Sequence, residues 1–593
     1  MMSRNPATGG HVGRSFTVRH WVVCLAAASL CACSNEAPRR AQAGETSRFD
    51  VAGAQRKKNA EMVDSTQWPA YGRDYSNQRW STLASITTEN VAQLRPAWVH
   101  HSGIPHASET NPIVIDTVMY FTTALNNVFA VDARTGKTLW RYVYPYLGHT
   151  VVDCCSTNNK GVAVYGGRVF MATVDARLVA LDARNGHPIW TVQVGDNEAG
   201  YHMTGAPTVV NGLVITGVSG GEQGCRCYVD AYAVADGHRV WRWYTVPSPA
   251  EGGWWGTWRA ADDWGMSFAR DLPKEHADSA KYADAWRHGG APMWQHPAYD
   301  PESGLLFLDI GNPAPDIDAS VRPGDNLYSD CIVALDLKTG TLEWYFQEVS
   351  HDVWDYDATT PPVLVDVADG SGHTVKAVVE AGKDGYVYVL DRATGKAIRK
   401  SAPFVPFLNY MVRPDTAGVV VNPGPLGGSD WSPTAYSPTT GYLYVDGNYL
   451  PHKYWMQHMT LKEPAQWWGG SVEAKPTGVY GIVSAIDLKT GNVAWKDSVS
   501  KPIISGVLAT AGGVVFTGSS DKQLLAYDAQ TGRKLWSFTT DAAINAPPIT
   551  YEVNGKQYVA VAVTGSQTLN TPRGDELVAF ALPNDSTAAG ARR

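Results

Sequence analysis

Four side chains far apart in the chain, Glu222, Asn312, Asp355 and Asp357, offer three carboxylates and one carboxamide. Oxygen donors of this kind suit a hard cation of the Ca²⁺ type, whereas Zn and Cu sites favour imidazole and thiolate. Each sits in a local sequence built to present it. Glu222 follows the turn residues Gly220 and Gly221, Asn312 lies in Gly311-Asn312-Pro313, and the two aspartates alternate with aromatics in Trp354-Asp355-Tyr356-Asp357. A vicinal pair, Cys154-Cys155, and an aromatic candidate, Trp294, accompany them. The set predicts an enzyme whose chemistry is assisted by a bound metal ion.

Residues so scattered need a scaffold that returns to one place many times, and the sequence carries a repeat. An apolar strand, Asp, a short turn, Gly and then Trp recur as Asp132/Gly136/Trp140, Asp182/Gly186/Trp190, Asp336/Gly340/Trp344, Asp487/Gly491/Trp495 and Asp528/Gly532/Trp536. Two degenerate copies have Ala233 before Gly237/Trp241, and Arg399 after Asp391/Gly395. A hairpin pinned by Asp and Gly, with Trp landing on the neighbouring sheet, is the unit of a β-propeller. With the Trp98 strand and two wide gaps that hide further units, the expectation is all-β, about eight blades with tryptophan-docking motifs. These tryptophans are packing residues, not chemistry.

The totals agree. The 593 residues are 44% hydrophobic and only 18% charged, with 57 Gly and 35 Pro to make turns. A net charge of −8 and no basic run longer than Arg56-Lys57-Lys58 exclude nucleic acid as a partner. Residues 1–33 read as a secretory signal, with Arg4, Arg14 and Arg19 before an apolar run starting at Trp21. Leu30-Cys31-Ala32-Cys33-Ser34 resembles a lipobox, which would make Cys33 a lipid anchor; ordinary cleavage and a soluble product is the alternative. A flexible tether over 34–64, a propeller over 65–583 and a disordered tail over 584–593 complete the expected organisation. In an oxidising compartment the cysteines should pair, Cys225 with Cys227 across a tight loop being one option, and Cys331 is the expected buried free thiol.

From about Trp68 to Ala581 the chain resembles the periplasmic alcohol dehydrogenases that depend on pyrroloquinoline quinone (PQQ). The resemblance is carried by Trp68-Pro69-Ala70-Tyr71-Gly72-Arg73, by Trp294 to Tyr299-Asp300-Pro301, by Arg322-Pro323-Gly324-Asp325-Asn326 and by the motifs above. It implies that Cys154-Cys155 form a disulfide stacked on one face of PQQ and that Trp294 holds the other. It implies that Glu109, Thr204 and the Gly220-Gly221 turn border the quinone, that Lys383 stands near its reactive oxygen, and that Asp430-Trp431 complete the binding set. Lys160 stands where the family usually has Arg, keeping the charge and losing the bidentate fork. Glu222, Asn312 and Asp355 match the metal ligands, Asp355 also matches the catalytic base, and Asp357 matches the extra carboxylate of the lanthanide-dependent branch. A lanthanide is therefore expected, with Ca²⁺ as the alternative.

The implied reaction is oxidation of an alcohol to an aldehyde or ketone by hydride transfer to PQQ, with Asp355 as base and the cation as Lewis acid. No Cys-x-x-Cys-His occurs, so an external c-type cytochrome or blue copper protein is the expected electron acceptor. The rivals are a non-catalytic propeller scaffold lipoprotein and a sugar or polyol dehydrogenase of the same fold. Aromatic residues at Trp254, Trp255, Trp258 and Trp264, and at Trp455, Trp467 and Trp468, are expected to wall the entrance and to suit a bulky or cyclic alcohol. His351 is expected to brace the strand that carries Asp355. Monomer and homodimer both stay open.

Overall fold

A computed structural model describes residues 64–145, 157–369, 371–475 and 477–583. The expected signal, all but the last residue of the tether, the tail and the Cys154-Cys155 pair lie outside the described residues.

Among the described residues the regular secondary structure is almost entirely strand, with short 3-10 turns and a single α-helix, Leu272–Asp278. The strands form nine sheets, seven of four strands, one of five and one of three. Most are simple meanders, such as Ile113–Ile115, Val118–Thr123, Asn127–Asp132 and Thr138–Tyr142. Inner strands are mostly apolar and buried on both faces, as Val118–Thr123 is, because sheets pack against both sides of them. Outermost strands alternate, as in Pro188–Gln193, because one face meets solvent. The small sheet of Val419–Val421, His452–Met456 and Gly470–Ala474 stands outside the repeat. Arg95–His101, from near the start, pairs antiparallel with Glu576–Ala581, so a sheet otherwise made from the C-terminal stretch is completed by an N-terminal strand.

The repeat has one geometry. In each regular copy the glycine amide donates to the aspartate carbonyl, from Gly136 to Asp132 (2.8 Å) through to Gly532 and Asp528 (2.9 Å), and these glycines have φ between 71° and 77°. The preceding unit's indole lies on that glycine: a Cβ on Gly186 would stand 2.5 Å from the Trp140 ring, and one on Gly340 would stand 2.6 Å from Trp241. Six of the indole N–H groups then donate to the residue just after the next aspartate position. Trp98 reaches Ala133 O, Trp140 Ala183 O, Trp190 Val234 O, Trp241 Leu337 O, Trp344 Arg392 O and Trp495 Ala529 O, at 2.9–3.2 Å. The degenerate copy keeps the relation with another side chain: Arg399 Nη1 donates to Leu488 O at 2.7 Å while its stem covers Gly491.

The segments that enter the first strands carry the polar residues of the interior. Neighbouring segments are tied together, Asn111 N to Lys160 O and Lys160 N to Thr204 O, both 3.0 Å. Glu109, Lys160, Thr204, Trp294 and Asp430 thus occupy comparable places ahead of Ile113–Ile115, Ala163–Tyr165, Thr208–Val210, Ala298–Asp300 and Ala435–Ser437.

Candidate active site

One cavity of about 260 Å³ is lined by Glu109, Lys160, Thr204, Gly220, Glu222, Trp294, Asp355, Asp357, Lys383, Asp430 and Trp431, together with Asn158, Ser219, His452 and Trp468. Twelve of the residues singled out in the sequence, Trp468 included, are therefore gathered in one place. Gly221 and Asn312 stand just behind it: a Cβ on Gly221 would lie 3.9 Å from Asn312 Oδ1.

Asp355 is presented by its neighbours. The carboxylate of Asp352 accepts the amides of Trp354 (2.9 Å) and Tyr356 (3.0 Å), while Trp354 Nε1 and the Tyr356 hydroxyl are tied to Val412 O and Pro423 O. With both flanking aromatics buried, Asp355 is left in a left-handed conformation, φ 63°, a local strain that the surrounding contacts impose. Its carboxyl is held well above the ordinary range, first by burial and then by the charges of Asp357 and Glu222, against the opposing pull of Lys383. His351 braces this segment, its Nδ1 2.8 Å from Gly324 O.

Lys383 Nζ stands 3.0 Å from Asp355 Oδ1, 2.9 Å from Asp357 Oδ2 and 3.8 Å from Asp430 Oδ1. Burial disfavours its charge, but these three carboxylates outweigh that and keep the ammonium protonated far above its usual range. Asp430 is pushed up to about 6 by burial, with Lys383 opposing. Asp357 is fixed from its other side by the Asn312 amide, which donates to its Oδ1. Gly220, with φ 117°, opens the short turn Gly221–Gln223 that turns Glu222 toward the cavity.

Also lining the cavity, Lys160 Nζ lies 2.6 Å from Glu109 Oε2, both side chains buried. The same ammonium is 4.8 Å from the Trp294 ring centroid and 5.2 Å from that of Trp431. Asn158 Oδ1 accepts the amide of Glu109 (3.0 Å) and so sets the direction of this wall. Gly205 lets the Thr204 segment pass close to Trp294, whose carbonyl would be 2.8 Å from a Cβ there.

The donor set fits a hard cation. Every group it offers is oxygen, three carboxylates border one cavity, and both oxygens of a fourth, Asp316, are buried without a hydrogen-bond partner. As the side chains stand, no three acidic, histidine or cysteine groups among the described residues close on one point, because Lys383 lies between Asp355 and Asp357. The two indoles and the buried Glu109–Lys160 pair fit a flat, polar, anionic group.

Residues 68–402 and 397–559 match the family described as PQQ, glucose/ethanol/alcohol dehydrogenase, β-propeller domain. The chain belongs to this family. It is 37% identical over 515 residues to the quinoprotein alcohol dehydrogenase PedH of Pseudomonas putida, covering 83% of this chain and 84% of that one. It is 34% identical to a quinoprotein ethanol dehydrogenase of Pseudomonas putida over 535 residues, covering 83% of this chain and 85% of the relative. A europium-containing methanol dehydrogenase superposes with a TM-score of 0.78 at 30% identity, covering 89% of this chain and all of that one. The quinohaemoprotein alcohol dehydrogenase of Comamonas testosteroni also gives 0.78 at 30% identity, covering 90% of this chain and 84% of its own. This quinoprotein is an oxidoreductase, a PQQ-dependent alcohol dehydrogenase, and the scaffold alternative falls.

One expectation needs correction. Of the aromatic residues expected to wall the entrance, only Trp468 borders the cavity. Trp254 is buried in a core with Leu327 and Met293, Trp258 stacks on His276 at 3.8 Å, and Trp264 lies on Phe346 and Tyr388. Trp254 and Trp264 pack on the sheets beneath the segment, Trp264 with its outer side exposed, and Trp258 packs on the helix Leu272–Asp278. Trp467 has a different use, its amide donating to Glu222 O. Sequence reading also missed Asn158, Ser219, His452 and Asp316; the spacing of Asn158 two residues before Lys160 was the available signal for the first. Cys225 and Cys227 are joined in a disulfide and Cys331 is a buried free thiol.

Proposed function

We propose that the enzyme oxidises an alcohol to an aldehyde or ketone with Asp355 as general base, in a site where Glu222, Asn312, Asp355 and Asp357 hold a lanthanide ion, with Ca²⁺ as the alternative. The observation that carries the reading is the single cavity lined by Glu222, by Asp355 and Asp357 with Lys383 between them, and by Trp294, Trp431 and the Glu109–Lys160 pair. When bound, PQQ supplies the two-electron acceptor, and the cation supplies the positive charge that keeps Asp355 ionised despite its burial.

The remaining work falls to the chain. Asp355 takes the hydroxyl proton at a carboxylate oxygen whose direction is fixed by the Asp352-pinned turn. Lys383 holds its proton and orients Asp355 and Asp357. Lys160, Glu109, Thr204, Asp430 and the Gly220-Gly221 turn hold the cofactor's rim, and Trp294 and Trp431 hold its flat faces. Trp468, Leu426 and Val472 make the substrate side apolar, which favours an alcohol with its own apolar surface over methanol. The similarity to the europium-containing methanol dehydrogenase supports the lanthanide over Ca²⁺.

The same reading takes the eight sheets of four or five strands as eight propeller blades, with each indole-to-turn contact as docking between neighbours. It takes residues 1–33 as an export signal, with the enzyme periplasmic, soluble or anchored at Cys33, and electrons leaving to a separate c-type cytochrome or blue copper protein.

The deciding experiment is dye-linked alcohol oxidation by apo-enzyme reconstituted with PQQ and either La³⁺ or Ca²⁺, across methanol and larger primary and secondary alcohols. Activity with La³⁺ and larger alcohols is expected. Activity with Ca²⁺ alone would overturn the metal, and a preference for methanol would overturn the substrate class.

A further inference from the structure

We propose that Asp316 is a further carboxylate of the cation site, acting with Glu222, Asp355 and Asp357 to make that site prefer a trivalent ion to a divalent one. The inference rests on the functional reading above and extends it to a residue outside the cavity's immediate lining.

Asp316 is 1% exposed, and neither carboxylate oxygen has a hydrogen-bond partner. A carboxylate so placed is costly unless charge compensates it. The nearby guanidinium of Arg322 does not do so by contact. Its N–H groups go to Pro315 O (2.9 Å), Asp316 O (3.1 Å), Asn326 Oδ1 (2.6 Å) and Asp352 O. They bind the backbone around Asp316 and leave its side chain without a donor.

The course of the chain ties the Asp316 loop to the segments that carry the donor set. Asp316 ends the segment Asn312-Pro313-Ala314-Pro315-Asp316, which begins at the proposed ligand Asn312. The next residue, Ile317, donates its amide to Trp468 O (2.9 Å), and Trp468 borders the cavity. Its neighbour Trp467 donates to Glu222 O, so the 467–468 segment ties the Asp316 loop to the Glu222 turn. Burial first, then the charges of Glu222, Asp355 and Asp357, raise the proton affinity of Asp316, so these four groups feel one another's charge.

Such a group costs stability when the site is empty and repays it when a cation arrives. The Coulomb gain from each added carboxylate grows with the charge of the ion, so it favours three positive charges over two. Asp316 therefore acts on selectivity as well as affinity.

The test is equilibrium dialysis of La³⁺ and of Ca²⁺ against the full-length PQQ-loaded enzyme, with bound metal counted by mass spectrometry, for the wild type, Asp316→Asn and Asp446→Asn. Asp446 is a buried acid whose partners are Gly506 and Thr517, and it serves as the control. Asp316→Asn should weaken La³⁺ binding by about tenfold or more, the size expected of groups that support a metal site. Ca²⁺ binding should weaken less, and Asp446→Asn should change neither. In melting experiments apo Asp316→Asn should unfold at a higher temperature than apo wild type and gain less from added La³⁺. Should Asp316→Asn not fold, Asp316→Ser is read in the same way. Equal La³⁺ affinity in wild type and variant would overturn the role of Asp316 and leave the functional reading standing. A wild type that binds PQQ and no La³⁺ would overturn the metal reading itself.

Discussion

Gly311 and Asp357 are in such close approach that a methyl group on Gly311 would stand 2.8 Å from Asp357 Oδ1. The same oxygen accepts the amide of Asn312. Gly311 is therefore glycine for clearance, and its lack of a side chain is what lets the 311–312 backbone clasp a carboxylate.

Gly311→Ala should push Asp357 away from Lys383 and the Asn312 amide. The expected result is a loss of La³⁺-dependent activity comparable to that of Asp357→Ala, with stability lowered by about 1–3 kcal/mol as for other overpacked sites. Steady-state kinetics with each metal, alongside a denaturant melt, check it. Unaltered La³⁺ kinetics would show that the position of Asp357 does not matter.

Asp355→Ala should lower turnover by about 10²–10⁴, the range for loss of a general base. Because the strained turn is held by Asp352, Trp354 and Tyr356 and not by Asp355, the variant should fold and its far-ultraviolet circular dichroism should match the wild type. A folded variant with near-normal turnover would remove Asp355 from the reaction.

Lys160→Ala leaves the Glu109 carboxylate buried without its 2.6 Å partner. Breaking such a pair from one side costs about 3–5 kcal/mol, whereas removing both charges costs much less. The apo-protein carrying Lys160→Ala should thus melt well below the wild type, and the Glu109→Ala/Lys160→Ala double variant should recover part of the loss. PQQ affinity, read by fluorescence titration, should fall in both. A single variant as stable as the wild type would mean that the pair is solvated in solution.

Stability should depend on pH through Asp446. Burial pushes its carboxyl up to about 7, although the Thr517 hydroxyl and the Gly506 amide favour its charged form. An acid whose folded value is raised binds its proton more tightly when folded, so its contribution is complete below the ordinary aspartate value near 3.8 and is lost as pH rises to about 7. The slope is at most about 1.4 kcal/mol per pH unit. Asp446→Asn should flatten this part of the profile and raise stability at pH 8, as measured by chemical denaturation at several pH values. A profile identical to the wild type would contradict it.

The scaffold was legible in the sequence because its unit is chemically specific: an aspartate and a glycine set one turn, and an indole fits the bare glycine beyond it. Arg399 shows the limit, since it fills the tryptophan's role on Gly491 through a methylene stem and one guanidinium bond that no spacing rule anticipates. The site was legible where chemistry is rare, as in paired carboxylates near aromatic residues. Asp316 was not legible, because only the fold shows that its carboxylate lacks a partner. The aromatic residues of 254–264 were misread for the reverse reason: an indole is equally at home in a rim or a core, and only Trp254's burial decides.

The pairing of Arg95–His101 with Glu576–Ala581 bears on how the molecule is made. The first of these strands leaves the ribosome long before its partner exists, and it must wait, with an unpaired edge, for nearly the whole chain to follow. A product stopped short of Glu576 would keep two open edges and no means of sealing them. Synthesis errors late in the message should therefore yield aggregates or protease substrates, so only chains finished to the last strand become durable.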